Sequence, residues 1–135
     1  MALLDWDSNY AVGVQALDSQ HTTLFEMLNE LHNAMLKGQA QNLTGPLLQR
    51  LVDYTDEHFS AEEKLLFDTH YPELAQHQTL HRDLIRQIND FSIRFQRGEI
   101  TLNLHLLNFL RDWLTHHIQN VDHEYGPWLN EHGAH

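Results

Sequence analysis

The chain has 135 residues, the size of one domain with a buried core, and sets 19 Asp and Glu against 8 Lys and Arg, a formal charge of −11 with histidine neutral. That surplus of acid excludes nucleic acid and anionic membrane surfaces as partners, since both demand Lys and Arg. The lack of cysteine excludes disulfides, thiolate-bound zinc and iron–sulfur clusters, while 12 histidines offer the commonest protein metal ligand.

Leucine is the commonest residue, Val and Ile are sparse, and no stretch alternates at period two, so the fold is expected to be all-α. Residues 1–17, with Trp6, Tyr10, Val12 and Val14, read as a packed N-terminal arm. A first helix is expected from Asp18, its N-cap, to Lys37, with Gly38 as the stop. Its stripe is Leu24, Leu28, Leu31 and Met35, with His21 on the same face. A second helix is expected from Thr44–Pro46, with proline in the first turn, to Asp68. It aligns Leu51, Thr55, His58, Glu62, Leu65 and Leu66. After Tyr71–Pro72 a third helix runs to Arg97, before Gly98, with His77, His81, Leu84, Ile88, Phe91 and Phe95 as a bundle seam. A fourth runs from after Thr101 to Asp122, with Leu107, Leu110, Leu114, His117 and Val121 inward. Gly126–Pro127 is expected to break the chain before a short amphipathic helical segment, with 123–135 as the tail of the domain.

Four helices of ~20 residues joined by short loops predict an antiparallel up-down-up-down bundle over 18–122, one domain with an arm and a tail. No apolar run reaches the ~20 residues that span a bilayer, and the opening MALLDWDSNY lacks the regions of a signal peptide. No stable membrane insertion and a cytoplasmic location are therefore expected.

Polar groups interrupt the apolar seams, and burying them without partners is costly. His21, His77 and His81 lie near the starts of the first and third helices. His58 and Glu62 lie near the end of the second, His117 and Asp122 near the end of the fourth. An up-down-up-down bundle brings those starts and ends to one layer. His58–Glu62 and His77–His81 are i, i+4 pairs, about 40° apart on a helix, so both members can face one ion. His117 and Asp122 are five apart, about 140° on an ideal helix, and share a face only if the helix is distorted there. Five imidazoles and two carboxylates exceed one tetrahedral ion and suit two ions with carboxylate bridges; the ligand types leave iron, zinc, copper and nickel open. His32, His70, His105, His116, His123, His132 and His135 fall at ends, outer faces or the tail and are expected to be solvated and inert.

The elements Asp18-Ser19-Gln20-His21, His58-Phe59-Ser60-Ala61-Glu62, His77-Gln78-Thr79-Leu80-His81 and His117-Ile118-Gln119-Asn120-Val121-Asp122 resemble the hemerythrin family, its single-domain bacterial members in particular. The resemblance extends from Trp6 to Tyr125-Gly126-Pro127. It implies two Fe ions with an oxo or hydroxo bridge. His77, His81 and His117 would fill one iron, His21 and His58 would leave the other with an open position, and Glu62 and Asp122 would bridge them. It implies reversible, end-on binding of O2 at the open iron. Two ferrous charges less two carboxylates and a hydroxide leave about +1, tolerable in a core. The ferritin-like di-iron proteins use Glu-x-x-His and more carboxylates, and that pattern is missing from the inner faces here.

Leu24, Phe59, Trp113, Leu114 and Ile118 lie within a turn of the ligands and match the family's apolar O2 pocket. They offer no identifiable acid, which favours a reversible adduct over peroxide release or O–O cleavage. The expected function is O2 carriage, storage or delivery, by a monomer without catalytic residues; the recipient of the O2 is not identified by the sequence. The alternative is di-iron enzyme chemistry on peroxide or nitric oxide, down to a weak peroxidase activity, or the sensing of O2 or iron.

Overall fold

The computed structural model describes residues 4–37, 41–99 and 104–135, with backbone alone at 41–44 and 104–105. Helices α1 (Gln15–Leu36), α2 (Gln41–Asp68), α3 (Leu74–Gln96), α4 (Leu104–His116) and α5 (His123–Glu131) account for most of them, and a π-helical turn, His117–Asp122, joins α4 to α5. α2 packs on both α1 and α3, and α1 also packs on α4. With short connections this is the expected four-helix bundle, α4, the π turn and α5 forming the fourth rod. No helix of the described residues is long and apolar enough to cross a membrane.

The apolar stripes form the core. Leu17, Leu24, Leu28, Leu31, Leu48, Leu51, Leu66, Leu84, Ile88, Leu107 and Leu110 are buried, whereas Met35, Leu65, Phe91, Leu114 and Val121 are half-buried at its margin. The arm packs on α1: Trp6 and Tyr10 both meet the Phe25 ring edge-on, and the Asn29 side chain both accepts from Leu4 N–H (2.8 Å) and donates to Leu4 C=O (2.7 Å).

Element ends differ from the sequence expectations in three places. α1 begins at Gln15, three residues before Asp18, behind an extended Val14 that supplies no side-chain cap. Asp18 is in the first turn instead, where its charge suits the helix dipole and its Oδ1 accepts the Val12 N–H at 2.7 Å. α2 begins at Gln41, so Pro46 lies inside it rather than in its first turn; the ring forfeits one bond near the helix start, where only one turn precedes it. Finally, Gly126–Pro127 does not break the chain, because α5 continues to Glu131. Gly126 is there for close approach: a Cβ on it would sit 2.3 Å from the Val12 carbonyl oxygen of the arm. The proposed stop at Gly38 and start after Thr101 lie outside the described residues.

α2 ends as expected at Asp68, and its ending sets the entry to α3. His70 takes a left-handed φ of 60°, His70 N–H reaches Phe67 C=O (3.1 Å), and Tyr71 N–H reaches Leu66 C=O (2.9 Å). That is a Schellman ending with histidine where glycine is usual.

Candidate metal centre

The seven candidate donors converge in one layer. Each is at most 5 % exposed. Donor atoms of Glu62, His77, His81, His117 and Asp122 lie within 4.8 Å of one another, and so do those of His21, His58 and Glu62. The π turn brings in the most distant of them. His123 N–H bonds back five residues to Ile118 C=O, which widens the turn so that residues five apart stack on one face. His117 Nε2 therefore lies 3.1 Å from Asp122 Oδ1.

The two carboxylates divide their oxygens between two histidine groups. Glu62 Oε1 lies 2.5 Å from His77 Nε2 and 3.2 Å from His81 Nε2, while Oε2 lies 3.3 Å from His58 Nε2 and 3.5 Å from His21 Nε2. Asp122 Oδ1 faces His77 and His117, and its Oδ2 lies 3.2 Å from His21 Nε2. His81 Nε2 and His117 Nε2 approach to 3.1 Å. Each carboxylate thus spans a three-histidine group and a second group containing His21 and His58.

The outward nitrogens are held by neighbours that the sequence reading left without a role. His58 Nδ1 lies 2.6 Å from Gln20 Oε1, and His81 Nδ1 lies 2.9 Å from Glu63 Oε2. Such partners fix the tautomer that turns Nε2 inward. Gln20 and Glu63 adjoin His21 and Glu62 in sequence, and that adjacency was the available signal. Tyr125, fully buried in α5, donates its hydroxyl to Glu62 Oε2 at 2.9 Å. Tyr54 packs half-buried beside the core.

Electrostatics point to a cation. Burial would raise the Glu62 carboxyl, yet the four imidazoles gathered around it hold it well below the usual range. Asp122 is lowered too, the imidazoles outweighing both burial and the Glu62 charge. Burial disfavours the charged imidazoles, but Asp122 and Glu62 outweigh it and lift His21 to about 9 and His77 to about 10. His81 is raised by Glu62 and Glu63 against burial, whereas burial keeps His58 lowered. The carboxylates require buried positive charge, which protons or metal ions in their stead can supply. His21 Nε2 and Asp122 Oδ1 are buried without a hydrogen-bond partner although they point into the cluster. Imidazole and carboxylate donors with such orphaned atoms fit a metal centre.

An apolar cavity adjoins the cluster, lined by Leu24, Leu28, Leu51, Thr55, Phe59, Leu84, Ile88, Leu110, Trp113 and Leu114. It leaves about 30 Å³ for the centre of a water-sized molecule, above the ~10–15 Å³ that one such molecule needs. Four of the five expected pocket residues are in its wall. The fifth, Ile118, is fully buried in the π turn between His117 and Asp122 and is not part of the lining. Phe59 stacks on the His81 ring at 3.6 Å and Trp113 on the His117 ring at 4.4 Å, so aromatic faces separate the cavity from those imidazoles.

Among the described residues the remaining histidines stay out of the cluster. His116 is exposed beside Asn120, and His132 stacks on Trp128 with its Nδ1 2.7 Å from the Trp128 carbonyl. His70, His123 and His135 are exposed. His32 departs from the expectation of a solvated residue: it is half-buried on α1 with an unpartnered Nδ1. The side chain of His105 lies outside the described residues.

Comparison with known proteins agrees with this geometry. Residues 12–129 match the Hemerythrin HHE cation binding domain. A bacteriohemerythrin of Stenotrophomonas maltophilia is 36 % identical over 132 residues, covering 98 % of this chain and 85 % of that protein. A bacteriohemerythrin of Methylococcus capsulatus is 36 % identical over 131 residues, 96 % of this chain and 99 % of that protein. A wild-type hemerythrin crystal structure superposes with a TM-score of 0.91 at 36 % identity, covering 95 % of this chain and 98 % of the other.

Proposed function

From the premise that the chain belongs to the hemerythrin family, we propose that it binds dioxygen reversibly at a non-haem di-iron centre and serves in O2 carriage, storage or delivery. The metal ligands in this reading are His77, His81 and His117 on one side, His21 and His58 on the other, with Glu62 and Asp122 spanning both. Two bound irons would supply the electrons that O2 takes up on binding and gives back on release.

What the chain contributes is position, charge and dryness. Each carboxylate turns one oxygen to each histidine group, so the two halves are held in register by the same two side chains. The His21–His58 half has fewer imidazoles, which leaves room there for a small ligand. Leu24 of the cavity wall lies one turn from His21, and Phe59 follows His58, which makes the apolar wall the approach to that half.

The observation that carries binding over catalysis is the wall itself. Among the residues that line the cavity, only Thr55 and the Trp113 indole have a polar hydrogen, and the Thr55 hydroxyl is spent on the Leu51 carbonyl at 2.6 Å. The Tyr125 hydroxyl is likewise spent on Glu62. Among the described residues no acid lines the cavity to hand a proton to a bound oxygen, so O2 is left to dissociate unchanged. The test is anaerobic reduction of protein with iron counted per chain, followed by O2 titration in the absorption spectrum. Two irons and a spectrum that reverts when O2 is removed support this reading. Rapid turnover of peroxide, or a spectrum that never reverts, overturns it.

A further inference from the structure

The outward nitrogens of the cluster are not treated alike. His58 Nδ1 meets the neutral amide oxygen of Gln20, His81 Nδ1 meets the Glu63 carboxylate, and His21 Nδ1 is buried with no partner at all. With both Nε2 atoms turned to the shared carboxylate, the Nδ1 atoms carry the protons, and the two oxygens can only accept them. Glu63 can do this because it follows Glu62 on α2. One residue on, it points about 100° away from its neighbour and reaches the α3 histidine from outside. Its side chain is 24 % exposed, at the edge of a polar groove that also includes Asp56, Ser60, Arg82 and Arg86. A carboxyl that reaches water in this way is ionised at neutral pH.

An ionised acceptor polarises an N–H more strongly than a neutral amide does. The polarised ring passes electron density to its other nitrogen and becomes a more basic ligand. The same two carboxylates span both halves of the cluster, so they do not distinguish the halves; beyond the count of imidazoles, Glu63 does.

We propose that Glu63 is a positioning residue that makes the His77–His81–His117 half of the centre the more electron-rich one, so that the first electron of oxidation leaves from that half. The inference rests on the ligand reading given above. In the step it describes, one electron passes to an outer-sphere oxidant such as ferricyanide. No bond to Glu63 forms or breaks, and the proton stays on His81 Nδ1. Gln20 is the uncharged counterpart that keeps the other half ferrous longer.

The test uses the full chain loaded with two irons and titrated spectroelectrochemically with small mediators. Glu63→Gln retains an acceptor and removes only the charge. Its first midpoint is expected to rise, with a shift equivalent to about a tenfold loss of ferric preference. Iron affinity by chelator competition is expected to fall by about tenfold, the lower end of what changing such a partner costs, because an acceptor remains. Gln20→Glu puts a charge behind His58 and is expected to lower the second midpoint, narrowing the gap between the two. A role confined to packing would move the stability of the metal-free protein and leave both midpoints in place. Midpoints and affinity unchanged in Glu63→Gln at full loading overturn the proposal. Failure of the underlying ligand reading shows separately, as a His81→Ala protein that still holds two irons with the parent's affinity.

Discussion

Tyr125 and Glu62 lie 63 residues apart in the chain and are joined by a hydrogen bond of 2.9 Å between two fully buried side chains. The phenol meets the carboxylate oxygen that also faces His21 and His58. Burial and the neighbouring Asp122 and Glu62 charges push its ionisation well up, so it remains a donor at any ordinary pH. Tyr125→Phe preserves the ring and removes that donor. A bond to a charged group contributes about 1.5–3 kcal/mol, and the metal-free variant should lose about that much in urea unfolding. An unchanged unfolding midpoint would show that Glu62 is satisfied without the phenol.

Leu114→Tyr introduces a phenol into a cavity wall whose Thr55 hydroxyl is already spent. The new proton donor should shorten the lifetime of the O2 adduct and raise peroxide turnover, each by about tenfold or more on the scale of general acid catalysis. Stopped-flow absorption reads both. A variant with the parent's lifetime and its inertness to peroxide contradicts the assignment of this cavity as the O2 pocket.

His77 touches both spanning carboxylates, at 2.5 Å from Glu62 and 3.2 Å from Asp122. His77→Ala should therefore lose most of the iron rather than a fraction of it. Metal analysis after anaerobic reconstitution checks this, and two irons per chain in the variant would remove His77 from the ligand set.

The metal-free protein should weaken in alkali. His21 and His77 titrate near 9 and 10 when folded, against about 6.5 unfolded. Their contribution is complete below pH 6.5 and disappears as the pH rises through 9 to 10. His58, held neutral by burial, acts in the opposite sense and costs stability as the pH falls below 6.5. Urea midpoints from pH 6.5 to 10 should fall steadily without iron. They should stay flat with iron, because a metal-bound nitrogen has no proton to lose. Parallel curves for the two preparations would break the link between these protons and the metal.

Gly126→Ala tests the seat of the arm. A Cβ there meets the Val12 carbonyl oxygen at 2.3 Å, and the obstacle is backbone, so the arm must shift. A loss of about 1–3 kcal/mol is expected, as for overpacking elsewhere, with faster proteolysis ahead of Gln15. An alanine variant as stable as the parent, with its arm equally protected, would mean that arm and α5 part freely.

The parts of the centre that the sequence makes readable are those encoded locally. His58–Glu62 and His77–His81 announce a shared face by spacing alone, and bundle topology places their ends at one depth. Asp122 is harder to place, because a spacing of five becomes a shared face only when the helix widens, and that widening has no residue signature of its own. Tyr125, three residues past Asp122, is legible as a hydrogen-bonding neighbour of the site, but its partner is set by how α5 lies across α2, which no spacing encodes. Proline and glycine mislead at Gly126–Pro127, since glycine there answers a crowded contact with Val12 rather than a turn. Asp18 misleads too, being a good cap by type yet bonded to the arm instead.

The wide turn between His117 and Asp122 has a consequence for how this site tolerates change. Its register depends on a winding that holds one residue more than an ordinary turn. If the turn tightened to an ordinary helix with its residues unchanged, everything beyond it would swing by about 100°. Asp122 and Tyr125 would turn away together, one losing its place among the imidazoles and the other its hold on Glu62. Loss of one of the four residues between would instead leave an ordinary i, i+4 pair that still shares a face, so the arrangement withstands a shorter turn better than a tighter one.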